Sequence, residues 1–327
     1  MRRCRPHRSD RWQPLRILTG MPTSQPDSAR GACHGFEILS PLRFRTLRTG
    51  SGAPLRITVD PALRARGKII AEWLPRPNNP FHGRLLKDGE RYAFWASDAG
   101  WYQVNPKDGS IALGSSESEL ARELRLFGVP VSICVFEQGD LSIHASAVEV
   151  NGHGLILAGP SRYGKTTLAA GFAAAGHRVL SEDTTRCTTS NGVPSIFPGP
   201  AVLRLRDDVA KHVNVLGGTR VGLGPDRVAI LFDESVRGGS TAIPLRAIVF
   251  LQESATPPRL EPIAAASAIP DIFALMFRLP VEPFRTASFT RVADLAARVQ
   301  ALRLHREKTV RSLDEVVALL ERYLSAG

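Results

Sequence analysis

The sequence predicts a two-part α/β protein: a C-terminal α/β domain built on a strand, a glycine loop and a helix, preceded by a smaller β-rich α+β lobe. Three observations carry this. Leu155-Ile156-Leu157-Ala158 is a short apolar run of the kind that forms a buried strand. It enters a glycine loop and then Thr166 to Ala175, an alanine-rich stretch closed by Gly176, which reads as a helix. Upstream of residue 136 the chain instead offers short strand-like runs broken by Pro and Gly clusters.

At 327 residues the chain is long enough for two domains with cores of their own. We place a disordered basic tail over 1–34, the β-rich lobe over 35–135 and the α/β domain over 136–327. The tail holds seven Arg against two Asp, lacks periodicity and contributes five of the eleven net positive charges. No apolar stretch follows its basic start, so it is not a secretory signal, and Met21 is the expected biological start. Apolar runs fall short of a membrane span. No aromatic-rich RNA motif or helix-turn-helix signature is evident, and the residual positive charge suits phosphate handling. Cys4, Cys33, Cys134 and Cys187 lack metal-ligand spacing, and a reduced, cytoplasmic location is expected.

In the lobe, strands are expected at Ile38-Leu39, Leu55–Val59, Ala93–Trp95, Trp101–Val104 and Ser110–Leu113, with a helix capped in Ser116–Glu119 and running through Leu126. Trp73, Trp95 and Trp101 read as core, with peptide reception the sharper alternative. Ile143–Val150 meets Asn151-Gly152, a strong hairpin signal, which pairs Val150 with His153 and sets His144 opposite Gly159. Arg178–Ser181 follows the helix closely, so it should lie parallel to the strand feeding the loop and deliver Glu182-Asp183 to the same sheet edge. Beyond, strands are expected at Thr184–Thr189, Pro194–Phe197, Val228–Phe232 and Ala247–Leu251, with a turn at Asn191-Gly192. Partly helical structure is expected within Leu203–Leu216, and helices at Ile269–Phe277, Arg291–Leu302 and Ser312–Tyr323, the last with a Ser312-x-x-Glu315 capping box.

The loop Gly159, Pro160, Ser161, Arg162, Tyr163, Gly164, Lys165, Thr166 and Thr167 matches G-x-x-x-x-G-K-[ST], the phosphate-binding loop. Its amides and the following helix N-terminus can cradle phosphates, Lys165 can reach the terminal ones, and the Thr166 hydroxyl can ligate magnesium. Glu182 and Asp183 are costly together unless a cation neutralises them. Mg2+ on a nucleotide is the natural partner, leaving one carboxylate to take a proton from an attacking hydroxyl. Arg220 and Arg227 are further phosphate candidates, though either alone is more often a solvated surface group.

His144-Ala145-Ser146-Ala147-Val148, the hairpin, the loop, Gly176-His177 and Glu182-Asp183 together resemble the HPr kinase/phosphorylase superfamily, and its HPr kinase-like offshoots found with lasso and other ribosomal-peptide biosynthesis genes. The likeness spans about residues 135–255 and includes Phe197-Pro198-Gly199 through Leu203-Arg204-Leu205. It implies a P-loop fold of the HPr kinase/phosphoenolpyruvate carboxykinase type, with ATP on Gly159–Thr167 and Mg2+ at Thr166, Glu182 and Asp183. It also implies a catalytic carboxylate from that pair, with Lys165 and His144 near the transferred phosphoryl group. Arg162-Tyr163 replaces the family's small residues, Glu182-Asp183 replaces Asp-Asp, and the family's C-terminal basic-Gly-Arg-Asn run is not visible. The expected function is an ATP-dependent kinase acting on a serine of a peptide or protein. The alternative is an ATP-binding regulatory or peptide-presenting module without phosphotransfer. Phosphoenolpyruvate carboxykinase-like chemistry lacks its His/Lys metal set. Homo-oligomerisation, the acceptor and any phosphorylase activity are left open by the sequence.

Overall fold

The computed structural model describes residues 29–325, except 78, 79, 190, 191, 225, 278, 280 and 281. It is a mixed α/β structure with several sheets. Eight strands make the first sheet: β1 (Ala29–Cys33), β2 (Phe36–Ser40), β3 (Ala53–Val59), β4 (Lys68–Trp73), β5 (Gly83–Asp88), β6 (Arg91–Ala96), β7 (Gly100–Asn105) and β8 (Ser110–Leu113), in the order β1-β2-β3-β8-β7-β6-β5-β4. Alternation decides which face is core: along β7, Tyr102 and Val104 are buried while Gln103 between them is only partly so.

One expectation fails here. The disordered tail does not extend through His34: Ala29–Cys33 is a strand, and Ala32, Cys33 and His34 are buried. The tail reading rests on charge density, whereas Gly31 and its small neighbours fit tightly. A Cβ on Gly31 would meet the Leu47 side chain at 2.8 Å. Residues 1–28, including Met21, lie outside the described residues.

Helices α1 (Glu119–Leu126) and α2 (Val129–Glu137) cross to the second part. Ser118 caps α1, accepting from the Ala121 amide at 3.2 Å. α2 is buried almost all round, from Pro130 through Phe136, which removes the periodicity by which a sequence announces a helix. One hydrophobic core runs without a break from Phe36 and Phe94 in the first sheet, through Phe127 and Phe136, to Ile156 and Ala301 in the second part.

The second sheet contains β9 (Leu141–Ile143), β10 (Ser146–Val150), β11 (His153–Ala158), β12 (Arg178–Ser181), β13 (Thr185–Thr188), β14 (Ser195–Phe197), β18 (Ile243–Glu253), β19 (Arg259–Ile263) and β20 (Gln300–Arg306). The hairpin register is the expected one, Val150↔His153 to Ser146↔Leu157, turned by Asn151 and Gly152 at φ 51° and 78°. β12 pairs antiparallel with β10, so it runs parallel to β11 with β10 between them. β18 is parallel to both β11 and β20, so the C-terminal ends of β11, β12, β18 and β20 open at one edge. Helix α3 (Lys165–Ala174) buries Leu168 and Phe172 in the same core as Val148, Leu157 and Val179. A small third sheet joins β15 (Val202–Arg206), β16 (Gly218–Gly222) and β17 (Arg227–Phe232), with the short helices α4 (Asp207–Ala210) and α5 (Glu234–Arg237) beside it.

Other boundaries shift. Leu203–Arg206 is strand, and only Asp207–Ala210 is helical. α6 (Ala265–Leu275) and α7 (Glu282–Arg298) are helices, but the span expected to be helical to Leu302 turns into β20 at Gln300, which β18 and β19 recruit from both sides. α8 (Leu313–Ser325) forms, yet Ser312 donates to the Glu307 and Thr309 carbonyls instead of closing a capping box. Asn191 lies outside the described residues.

Candidate active site

Gly159 follows β11 at φ 146° and Gly164 caps α3 at φ 83°, conformations that disfavour any side chain. A Cβ on Gly164 would also lie 2.5 Å from the Arg306 guanidinium. Gly164 offers no side-chain cap, so the first amides of α3 have none of the side-chain partners that usually satisfy a helix start, and a start of this kind can hold an anion. Arg162 also has positive φ, 70°, uncommon for a residue with a side chain. Lys165 is buried and folds back on the loop, donating to the carbonyls of Gly159 at 2.9 Å and Pro160 at 3.2 Å. Burial lowers its pKa, and the charges of Asp183 and Glu182 work against that.

The acidic pair stands at the end of β12. Ser146 fixes it by donating to the Glu182 carbonyl at 2.5 Å. Thr166 Oγ1 donates to Glu182 Oε1 at 3.1 Å, so the head of α3 and the first acid meet. Arg204 then bridges both acids, Nε to Glu182 Oε2 at 2.5 Å and Nη2 to Asp183 Oδ2 at 3.0 Å. His144 Nδ1 lies 3.2 Å from the remaining oxygen, Asp183 Oδ1. Burial raises the Glu182 carboxyl, Asp183 adds to the rise, and Arg204 opposes it. For Asp183 burial acts upward too, but Arg204, His144 and Lys165 outweigh it and hold the carboxyl at about 2.

His144 therefore reaches the site, though not by the expected route. The ladder stops at Ser146↔Leu157, and the His144 amide donates to the Leu275 carbonyl at 2.8 Å, turning the ring toward Asp183. Glu182 is the acid that meets Thr166, whereas both Asp183 oxygens face Arg204 and His144. Arg220 and Arg227 belong to the third sheet, where Arg220 donates to the Ala210 carbonyl.

Thr166 Oγ1 and Glu182 Oε1 are hard oxygens converging at the loop, a donor set that fits Mg2+. Among the described residues no group of three or more His, Cys, Asp and Glu side chains has metal-ligating geometry. A magnesium ion there would thus draw on few protein ligands, as it does when phosphates and waters supply the rest.

Two arginines were missed as site residues. Arg204 sits between buried Leu203 and Leu205 on β15, and a charge inside an apolar alternation is a usable signal. Arg306 ends β20, is buried, and donates to the Tyr163 carbonyl at 2.9 Å, from a strand whose first residues carry a helical spacing. Beside the acids lies a cavity of about 380 Å3. His144, Glu182, Asp183 and Arg204 line one end, and Trp73, Phe81, Phe94 and Phe127 come from the other part of the molecule. Cys33, Cys134 and Cys187 are buried free thiols away from it. No helix among the described residues is long and apolar enough to cross a membrane.

No family model matches this chain, and no curated protein does. Among solved structures it is similar to an Hpr(Ser) kinase/phosphatase from Coxiella burnetii, at 10% identity and a TM-score of 0.32, over 57% of this chain and 97% of that one. At that distance the likeness carries no weight for function, which the residues alone must support.

Proposed function

We propose that this protein is an ATP-dependent kinase that transfers the γ-phosphoryl group to a serine hydroxyl of a peptide or protein. The observation that carries the reading is the position of Glu182. One of its oxygens meets Thr166 at the head of α3, and its neighbour Asp183 faces a cavity with His144. A phosphate cradle and a hydroxyl site thereby share one wall.

In this reading the loop amides and the start of α3 hold the triphosphate, and Lys165 moves from the carbonyls of Gly159 and Pro160 to the terminal phosphates. Thr166 and Glu182 hold Mg2+, which supplies neutralisation of phosphate charge when bound. The acceptor oxygen forms its bond to the γ-phosphorus as the bond to the β–γ bridging oxygen breaks, and ADP leaves with that electron pair. The hydroxyl proton passes to Asp183, which His144 and Arg204 position. A carboxylate held near 2 is a weak base, but phosphoryl transfer depends mainly on placement and charge compensation.

A second reading, an ATP-binding module that presents a peptide without transfer, draws on one observation: Arg204 occupies an oxygen of each acid. The two separate in an assay with γ-labelled ATP and candidate acceptor peptides. Asp183→Asn should lower transfer by about 10²-fold or more and spare magnesium-free nucleotide binding. Glu182→Gln should mainly weaken the magnesium dependence. Full transfer in both variants removes this mechanism, and tight ATP binding with no labelled acceptor favours the module.

A further inference from the structure

We propose that the cavity beside Asp183 is the acceptor site and that it takes a peptide segment whose hydroxyl residue is flanked by aromatic or bulky aliphatic side chains. This rests on the phosphotransfer reading. At about 380 Å3 the cavity falls within the size range of ligand pockets, roughly 300–1,000 Å3. Its charge is concentrated at one end, where His144, Glu182, Asp183 and Arg204 already contact one another. The rest is apolar. Trp73 meets Phe94 edge to face at 5.8 Å, and Leu275 and Phe277 close the side next to His144. The remaining cation, Arg125, is paired with Asp98 at 2.7 Å and lies 3.9 Å above the Phe81 ring. A charged flank on the acceptor would find no partner on these walls and would lose its hydration, whereas an aromatic or aliphatic flank exchanges water for ring contacts.

The nucleotide base does not compete for this space. No residue of 159–167 lines the cavity, which adjoins the loop across Glu182. That is the end at which Lys165 and Thr166 would meet the terminal phosphate, and the base hangs from the opposite end of the triphosphate. The apolar wall is also fixed to the reacting group. Leu275 accepts the His144 amide at 2.8 Å, and Met276 bridges antiparallel to Ile143, so a side chain seated on this wall is held in register with Asp183. Ala274, exposed at the C-terminal end of α6, and the half-buried Val129 leave an opening through which an extended chain can pass.

The test uses the full chain loaded with Mg-ADP and three end-blocked, fluorescently labelled peptides, Ala-Phe-Ser-Phe-Ala, Ala-Lys-Ser-Lys-Ala and Ala-Asp-Ser-Asp-Ala. Anisotropy should show the aromatic peptide binding about tenfold or more tighter than the other two, the scale of burying one large apolar group. Ala274→Trp and Val129→Trp, which fill the cavity from an exposed and a half-buried position, should each remove that preference. Mg-ADP affinity measured on both variants identifies a misfolded one. Equal binding of the three peptides, undiminished binding in both variants, or competition between the aromatic peptide and Mg-ADP overturns the inference. Labelled ATP then separates the two proposals. Selective binding without transfer keeps the cavity as the peptide site and removes the kinase reading. Transfer without preference keeps the kinase and removes the cavity assignment.

Discussion

Lys165 rests on the carbonyls of Gly159 and Pro160, neutral acceptors that an anionic phosphate can displace because its charge-assisted bond to the ammonium is stronger. Lys165→Ala should lower Mg-ATP affinity at least about tenfold, or 1.4 kcal/mol. Calorimetry that finds a folded Lys165→Ala protein with unchanged affinity would falsify the phosphate-loop assignment. Asp183 yields a prediction in pH. Its carboxyl is held at about 2, so it is ionised above about pH 4 and its base form does not vary from pH 5 to 8. Any acid limb in the transfer rate within that window therefore belongs to a group other than Asp183. An Asp183→Asn protein whose transfer rate matches wild type from pH 5 to 8 removes this carboxylate as the acceptor of the hydroxyl proton. At this scale the sequence singled out the loop, both acids and the histidine as candidates, and the structure brings Thr166, Glu182, Asp183 and His144 together. The sequence did not divide the acids between Thr166 and His144. That division depends on Arg204, which arrives from β15 and touches both.

At the scale of elements, local signals were legible and long-range recruitment was not. The Asn151-Gly152 turn fixed the β10–β11 register because two residues that tolerate positive φ define a two-residue hairpin. β20 was hidden, since Gln300–Arg306 becomes a strand only by pairing with β18 and β19, more than thirty residues earlier in sequence. The same pairing brings Arg306 to the loop. Its guanidinium donates to the Tyr163 and Glu307 carbonyls, makes no ion pair among the described residues, and lies against the Gly164 turn. It is therefore a brace for the turn that Arg162 and Gly164 make with positive φ on either side of Tyr163. Arg306→Met keeps the apolar stem and removes the bonds. It should lower stability by about 1.5–3 kcal/mol, the range for hydrogen bonds made by charged groups. Mg-ATP affinity should fall with it as the loop loosens. Denaturant melts and nucleotide titrations that both match wild type would show that the loop holds its shape without this contact.

For the whole molecule, the first and second sheets share one core, and the acidic pair is held from the side of the first sheet. Arg48, buried and reached through the first sheet, donates to the carbonyls of Val179 at 2.7 Å and Leu180 at 3.3 Å, directly ahead of Ser181-Glu182-Asp183, and to Gly199 at 2.8 Å. No pattern in the sequence announces this, because an arginine bonded to carbonyls has no acidic partner to mark it. Next to it His34, in the turn between β1 and β2, is buried and carries the largest acid sensitivity we foresee. Burial first, and then the Arg186 guanidinium, lower its pKa from 6.5 to about 3. The unfolded chain thus takes up a proton below about pH 6.5 that the folded protein refuses until about pH 3, and stability falls as the pH drops through that interval. At about 1.4 kcal/mol per pH unit of separation, the loss has a ceiling near 5 kcal/mol. His34→Asn tests this without disturbing the turn, because asparagine tolerates the φ of 51° that His34 adopts and does not titrate. The variant should be less stable than wild type at pH 7, having lost a buried ring, yet its denaturation midpoint should change far less between pH 7 and pH 4. Parallel decline of the two proteins across that range would place the acid sensitivity elsewhere and would leave His34 as packing alone.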